Sequence, residues 1–406
     1  MARLLAYTSS SAGDIFPSIG LLLELRRRGH EVHVRTGAAE VRRLEALGLD
    51  AAAIDAGIEA IEIDDWMART PIGAALRLLS ALAARAELEI DDLRRTIAEV
   101  APDGLIVDAS CQGAGYMAEA SGLPWAQYCP YPPLIRSVDA PVYGLGLRPA
   151  RGVLGRARDR IGWRLNDRAM AGQLPPRNTL RAGLGLGPLR RYDEQYLKAA
   201  RFIAFTAEPY EYPRRDWPAS ARLVGPATWE PPAEPPAWLS AETRPIVLVT
   251  ASTARQGDDK LITTALNALA GEDLCVIVTT AAHDPAPFTV PANARVERFI
   301  PHAPIIARAA CVVSHGGQGT TQKALAAGVP VCAVPFCRDQ FEVARRVEVC
   351  DAGVRLPHNR LSDSRLRKAV HHAITKREGA TRVAQAFNQA GGTGVAADAV
   401  EELLPQ

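Results

Sequence analysis

The sequence predicts an α/β protein of two doubly wound, Rossmann-like parallel sheets facing each other across a cleft. Three observations carry this. Short apolar runs alternate with segments of helical periodicity from the first residues onward. The same rhythm restarts after residue 245. Between the halves lies a proline-dense stretch with Pro231, Pro232, Pro235 and Pro236. Without amide hydrogens at those positions it cannot join a sheet and acts as a stiff spacer. At 406 residues the chain is also long for one domain. The expected division is 1–225, a linker 226–245, 246–385, and a tail 386–406 that packs back on the first unit.

In chain order, residues 4–8 form an apolar strand. Residues 16–28 carry apolar side chains at helical spacing, closed by Gly29, with Arg26, Arg27 and Arg28 complementing the helix dipole. Residues 31–35 alternate as a strand. Residues 72–84 read as an amphipathic helix, and Arg77 inside them argues against a membrane span. Then come a strand at 103–107, a small-residue helix at 113–121 and an extended run at 124–128. The second half repeats the theme with a strand at 246–250, a helix at 259–270 and a strand at 275–279. A further strand at 309–314 leads into a glycine turn and the helix formers of 322–327. Gly328-Val329-Pro330 stops that helix before a strand at 331–335. An amphipathic segment, 341–349, and a helical tail, 381–404, complete the chain.

Composition excludes several classes. A net charge of +2, with no basic run interleaved with aromatics, gives no support for nucleic-acid binding. The seven cysteines are scattered without C-x-x-C spacing. Cys275, Cys311 and Cys332 fall in apolar strands, so reduced core thiols and no metal site are expected. The opening residues do not form a signal peptide, and no stretch reaches the ~20 apolar residues of a membrane span. The expectation is a cytoplasmic protein without an integral membrane segment or resident cofactor; a homodimer stays open.

The most informative stretch is His315-Gly316-Gly317-Gln318-Gly319-Thr320-Thr321. A glycine turn from a buried strand into a helix leaves backbone amides unpaired where the peptide dipoles favour negative charge. Glycine lets a phosphate come close, and the threonine hydroxyls can cap or donate. The plain alternative is a tight turn closing a βα unit. Asp339 and Gln340 sit just past the carboxyl end of the next strand, where open parallel sheets place ligands. A carboxylate and an amide there suit sugar hydroxyls; a solvated loop is the alternative.

These pieces, H-G-G-x-G-T followed by A-L-x-x-G-V-P and D-Q, resemble the donor-nucleotide signature of inverting, family-1-type glycosyltransferases of the GT-B fold. The likeness is to the bacterial natural-product and macrolide type, with the sterol and glycopeptide transferases nearby. Arg298-Phe299-Ile300-Pro301-His302 is similar to the element that flanks the nucleotide base. The run 247–253 is similar to the first strand and phosphate turn, although Ser252 stands where the family usually has glycine. The resemblance implies that residues 1–225 bind the acceptor and 246–385 the nucleotide-sugar donor. It implies donor contacts from Thr253, Phe299, Ile300, His302, the turn 315–320, Asp339 and Gln340. Whether the base is thymine or uracil stays open. Lys323 stands where many relatives carry an acid and is left unassigned.

In the turn after the first strand many relatives carry Gly-His, whose histidine is the general base. This chain has Gly13-Asp14, similar to the sterol and glycopeptide branch, and the resemblance gives the role of base to Asp14. A helix cap is its plain alternative. Asp108 matches the position that pairs with the base; beside Asp14 it can tune that acid or bind acceptor. Trp66, Trp125 and Tyr128, among other aromatics of the first half, are expected to line a pocket for a hydrophobic aglycone, although such residues also serve as core. The reaction so implied is metal-independent inversion at the anomeric carbon of a nucleoside-diphosphate sugar. The rivals are a nucleotide-sugar epimerase and a non-catalytic nucleotide-sugar-binding partner protein.

Overall fold

The computed structural model describes residues 1–68, 71–231, 233–252 and 258–405. The first sheet contains β1 (Arg3–Tyr7), β2 (Glu31–Thr36), β3 (Asp50–Ala53), β4 (Gly104–Asp108), β5 (Trp125–Cys129), β6 (Arg201–Ala204) and β7 (Ala221–Leu223). All pairings are parallel, in the order β3-β2-β1-β4-β5-β6-β7. The second contains β8 (Ile246–Thr250), β9 (Cys275–Thr279), β10 (Ala294–Glu297), β11 (Ala309–Ser314), β12 (Val331–Ala333) and β13 (Gly353–Arg355). It too is parallel throughout, in the order β10-β9-β8-β11-β12-β13.

Helices cover the sheet faces. They are α1 (Ala12–Arg27), α2 (Ala38–Ala46), α3 (Ala56–Ala60), α4 (Pro71–Val100), α5 (Gln112–Ser121), α6 (Gly152–Met170) and α7 (Leu174–Gly183) in the first half. The second half adds α8 (Asp259–Leu269), α9 (His302–Ile306), α10 (Gln318–Ala326), α11 (Gln340–Val349), α12 (Asp363–Ile374), α13 (Arg377–Gln389) and α14 (Gly392–Glu401). The architecture is thus two parallel, helix-covered α/β units. Because both faces of each sheet are covered, β4, β5, β8 and β9 are buried along their whole length.

In each parallel sheet the order of strand addition reverses at the centre, between β1 and β4 in one and between β8 and β11 in the other. Such switch points open a crevice at the carboxyl ends of the strands. The Asp14 turn follows β1, Asp108 ends β4, and the His315 turn follows β11, so the singled-out motifs sit at these two crevices.

Elements absent from the sequence reading have physical reasons. β3, β7 and β13 are three or four residues long, with partly exposed side chains. The helix read over 72–84 continues to Val100, because Asp91, Arg94 and Arg95 in its second half are surface charges rather than a break. α1 begins at Ala12 rather than 16, so Asp14 lies in its first turn.

The tail returns to the first sheet. α14 packs on α1, and Arg28 donates to Asp398 and Glu401 at 2.6 Å each. A buried seam of charge joins the halves. Arg346 of α11 donates to both oxygens of Glu211 at 3.0 and 2.9 Å and to Glu342 at 3.0 Å. Glu342 in turn accepts the amides of Gly144 and Gly146, both at 2.9 Å. Gly146 must be glycine: its φ is +54°, and a Cβ would stand 2.3 Å from the Phe341 carbonyl oxygen. Among the described residues no helix is long and apolar enough to cross a membrane, and all seven cysteines are unpaired.

Candidate active site

The carboxyl ends of β1 and β4 bring two acids together. Asp108 is fully buried; its Oδ1 accepts the Ser110 amide at 2.8 Å and its Oδ2 the Ser9 amide at 3.3 Å. The Tyr128 hydroxyl lies 3.2 Å from Asp108 Oδ2 and 3.3 Å from the Asp14 carbonyl oxygen, fastening the acid to the turn. Asp14 is half-buried in the first turn of α1, and Ser11, not Asp14, holds the cap position, without a side-chain cap bond.

Burial, then the Asp14 charge, pushes the Asp108 carboxyl up to about 8. Burial also raises Asp14, but the Ser9 and Ser110 hydroxyls, with Arg338 and Arg85, oppose it. Two acids so close cannot both ionise cheaply; the member helped by hydroxyls and cations holds the charge, and the enclosed one holds the proton.

A stability consequence follows. Asp108, at about 8, and Glu89, raised mainly by burial to about 7, keep protons in the folded chain. The unfolded chain loses those protons near about pH 4. Their contribution is therefore full below that pH and lost as pH rises through 7 and 8. The thermal midpoint should fall as pH rises through that interval. Asp108→Asn should flatten the fall, as scanning calorimetry in matched buffers would record.

Beside the acids a cavity opens between β1, α3 and α4. Ile54, Ile58, Ile63 and Leu82 give it an apolar wall, with Arg85, Glu89, Ser10 and Ser110 as polar members. The sequence reading missed these residues. The expected aromatic lining is corrected in two places. Trp125 is 5% exposed at the amino end of β5, the end remote from the crevice, and Tyr128 is 0% exposed behind Asp108. Both are core residues. Trp66 lies in the helical turn Asp65–Met67, and its side chain falls outside the described residues. Tyr143 is half-buried where the Asp339 and Glu342 charges reach it.

Across from the acids stands the turn after β11. Gly316 has φ +87°, and Gly317 is the cap residue of α10 with no side-chain cap. The Thr321 amide donates to the Gly317 carbonyl at 3.1 Å, so the amides of Gln318, Gly319 and Thr320 have no acceptor within the helix. Gln318 is fixed from outside, accepting the Tyr210 hydroxyl at 2.9 Å. A Cβ on Gly316 would stand 3.2 Å from the Gln340 carbonyl oxygen, so the turn and the Asp339-Gln340 loop touch.

Asp339 is half-buried at the start of α11; burial pushes it up to about 6, against Arg338 and with the Asp14 and Glu342 charges adding. The charges of acids from the two sheets therefore reach each other. Gln340 is 2% exposed, and its Oε1 accepts the Phe336 and Cys337 amides at 2.8 and 3.1 Å. That oxygen shapes the loop rather than facing outward. Arg338, at φ +52°, donates its Nε to Asp65 at 2.6 Å and a second nitrogen to the other carboxylate oxygen. This contact between the halves was not visible in sequence.

Phe299 is 78% exposed beside buried Ile300, an apolar ring face without a protein partner in the core. His302 begins α9, with Nε2 3.1 Å from Thr279 Oγ1. Glu230 of the linker reaches this corner, accepting the Ala303 amide at 3.0 Å and meeting Lys323 at 2.6 Å. Lys323 is thus an ion-pair partner. Thr253 lies outside the described residues.

Residues 263–403 match the family described as erythromycin biosynthesis protein CIII-like, C-terminal domain. The chain is 32% identical over 393 residues to 4'-demethylrebeccamycin synthase of Lentzea aerocolonigenes, covering 92% of each protein. It is 40% identical over 186 residues to a PGL/p-HBAD biosynthesis rhamnosyltransferase of Mycobacterium tuberculosis, covering 45% of this chain and 41% of that one. In structure it matches the calicheamicin glycosyltransferase CalG4 with a TM-score of 0.75 at 20% identity, over 99% of this chain and 98% of the other. It also matches the glycosyltransferase SnogD from Streptomyces nogalater with a TM-score of 0.70 at 22% identity, over 99% of each.

Proposed function

The chain belongs to the natural-product type of family-1 glycosyltransferases, and from that premise we propose that it transfers a sugar, with inversion and without a metal, from a dTDP- or UDP-sugar to a hydroxyl of an apolar small-molecule aglycone. The observation that carries this reading is the Arg338–Asp65 ion pair, 2.6 Å across the halves, which holds the Asp339 loop where the Asp14 charge reaches it although the two acids come from different sheets. One marks a base site beside an apolar cavity; the other borders a helix start with three unpaired amides.

In the proposed step the acceptor hydroxyl attacks the anomeric carbon from the Asp14 side. The bond from that carbon to the diphosphate oxygen breaks on the opposite face, and its electron pair leaves with the nucleoside diphosphate. The hydroxyl proton passes to Asp14 late in the attack, when the oxygen is most acidic. Charge growing on the diphosphate is met by the amides of Gln318, Gly319 and Thr320 and by His315. Asp339 takes sugar hydroxyls while Gln340 holds its loop in shape. Phe299 offers its exposed face to the base. The cavity walled by Ile54, Ile58, Ile63 and Leu82 receives the aglycone in place of Trp125 and Tyr128. A relative named as a rhamnosyltransferase supports transfer. Nothing in the matched names supports an epimerase or a non-catalytic partner.

Incubation with a panel of nucleotide sugars and aglycones, read by product mass and by the anomeric coupling of the product, tests the proposal. Epimerised donor, a retained anomeric configuration or binding without product would each overturn it. Gly316→Ala should weaken nucleotide binding about tenfold, since a side chain at positive φ costs about 1–2 kcal/mol and would press on the Gln340 carbonyl. Unaltered affinity by titration calorimetry would remove the turn from the donor site.

A further inference from the structure

His315 stands with its two ring nitrogens in different surroundings. Its Nε2 edge faces the helix start, 2.6 Å from where a Cβ on Gly317 would stand. Its Nδ1 is turned inward and buried, without a hydrogen-bond partner among the described residues. The nearest charge to that nitrogen is Asp258 Oδ2, at 4.0 Å. Asp258 is itself fully buried. Its Oδ2 accepts the Ser252 amide at 2.5 Å, and its Oδ1 lies 3.0 Å from His283 Nε2. The three residues follow three adjacent strands: Asp258 caps α8 after β8, His283 follows β9 and His315 follows β11.

A buried carboxylate between two imidazoles is costly if its only task is to fill space, because an apolar residue would serve better. The arrangement gains a purpose if His315 is called on to become a cation.

We propose that Asp258, steadied by His283, is a positioning residue for His315: its negative charge, 4.0 Å from Nδ1, favours the cation, so that the ring, neutral in the empty site, takes up a proton from solvent when the donor diphosphate settles against Nε2. The inference rests on the donor reading above. Burial keeps the empty ring from holding a second proton, while the Asp258 charge and, after it, the nearby Thr250 backbone pull the other way. A diphosphate on the far edge adds negative charge on the opposite side and tips the balance towards the cation. The cationic ring then donates from Nε2 to the diphosphate, and no bond to the sugar changes in this step. Asp258 is the charged side chain acting on His315; behind it stand His283 and the Cys337 thiol, which also feels the Asp258 charge.

Titration calorimetry of the intact chain with dTDP-glucose and UDP-glucose, in buffers of different ionisation enthalpy, tests this. The diphosphate of a nucleotide sugar has no group titrating near neutrality, so proton uptake belongs to the protein. The expected result near about pH 7 is net uptake approaching about one proton per ligand, with affinity falling as pH rises through the value of the occupied ring. Asp258→Asn keeps an acceptor for the Ser252 amide but not the charge. It should abolish the uptake, weaken neutral-pH binding about tenfold and move the fall in affinity to lower pH. Should that variant fail to fold, uptake by the wild type and its loss in His315→Gln still decide. Binding without uptake, or unchanged uptake in Asp258→Asn, overturns the proposal while leaving the donor reading intact. Failure of both sugars to bind sinks both.

Discussion

Asp14→Asn is expected to lower kcat by about 10³-fold while leaving the affinity for nucleotide sugar within about twofold. The substitution keeps the shape and the first turn of α1, but an amide cannot take a proton from an attacking hydroxyl. It also removes the charge that helps push Asp108 up to about 8. Asp108 should then ionise at lower pH, still enclosed by the Ser9 and Ser110 amides and unable to reach an acceptor in its neighbour's place. In the wild type the acidic limb of kcat/KM should lie above the ordinary carboxylate range, because burial raises Asp14. Turnover falls as pH drops through that limb, when the base becomes protonated. Steady-state rates and nucleotide titration on the same preparation separate the effects. Near-normal turnover in the variant would remove Asp14 as the base.

Arg346→Ala is expected to destabilise the chain by about 3–5 kcal/mol, since it leaves buried carboxylates without their cation. Glu211 is fully buried, and burial by itself would push its carboxyl up. The Arg346 and Arg214 guanidiniums together outweigh that and hold it below the usual range. This stability is present above the unfolded carboxyl's pKa and is lost as pH falls through the lower folded value. Arg346 also stacks 4.3 Å over the Tyr212 ring and anchors Glu342, which holds the 144–146 loop. Removal should therefore loosen the seam between the two halves. Glu211→Gln should cost less, because it withdraws a negative charge but keeps hydrogen-bonding atoms. Denaturant titration of both variants checks the ranking; equal, small losses would show that the seam carries little stability.

Much of the fold was legible because parallel strands covered on both faces read as unbroken apolar runs. β1, β4, β8, β9 and β11 are of that kind. The turn at 315–320 was legible because glycines at a strand-to-helix junction have few other uses. What stayed hidden depends on distance along the chain. Arg338 meets Asp65 across 273 positions, and nothing in either neighbourhood announces the partner. The apolar wall of the cavity comes from the turn after β3, α3, α4 and the segment between those helices, where isoleucine and leucine read as ordinary core. Asp258 gave no signal because its surroundings come from His283 and His315, in the turns after neighbouring strands. Trp125 and Tyr128 misled because an aromatic's identity does not reveal which end of a strand it occupies. Trp125 lies at the end away from the crevice, and Tyr128 braces Asp108 with its hydroxyl.

The most direct test of the account is a crystal structure of the chain with bound dTDP or UDP. Diphosphate oxygens are expected within about 2.7–3.2 Å of the Gln318, Gly319 and Thr320 amides, with His315 Nε2 on the same group and the base beside Phe299. A nucleotide seated elsewhere, with those amides facing only water, would contradict it.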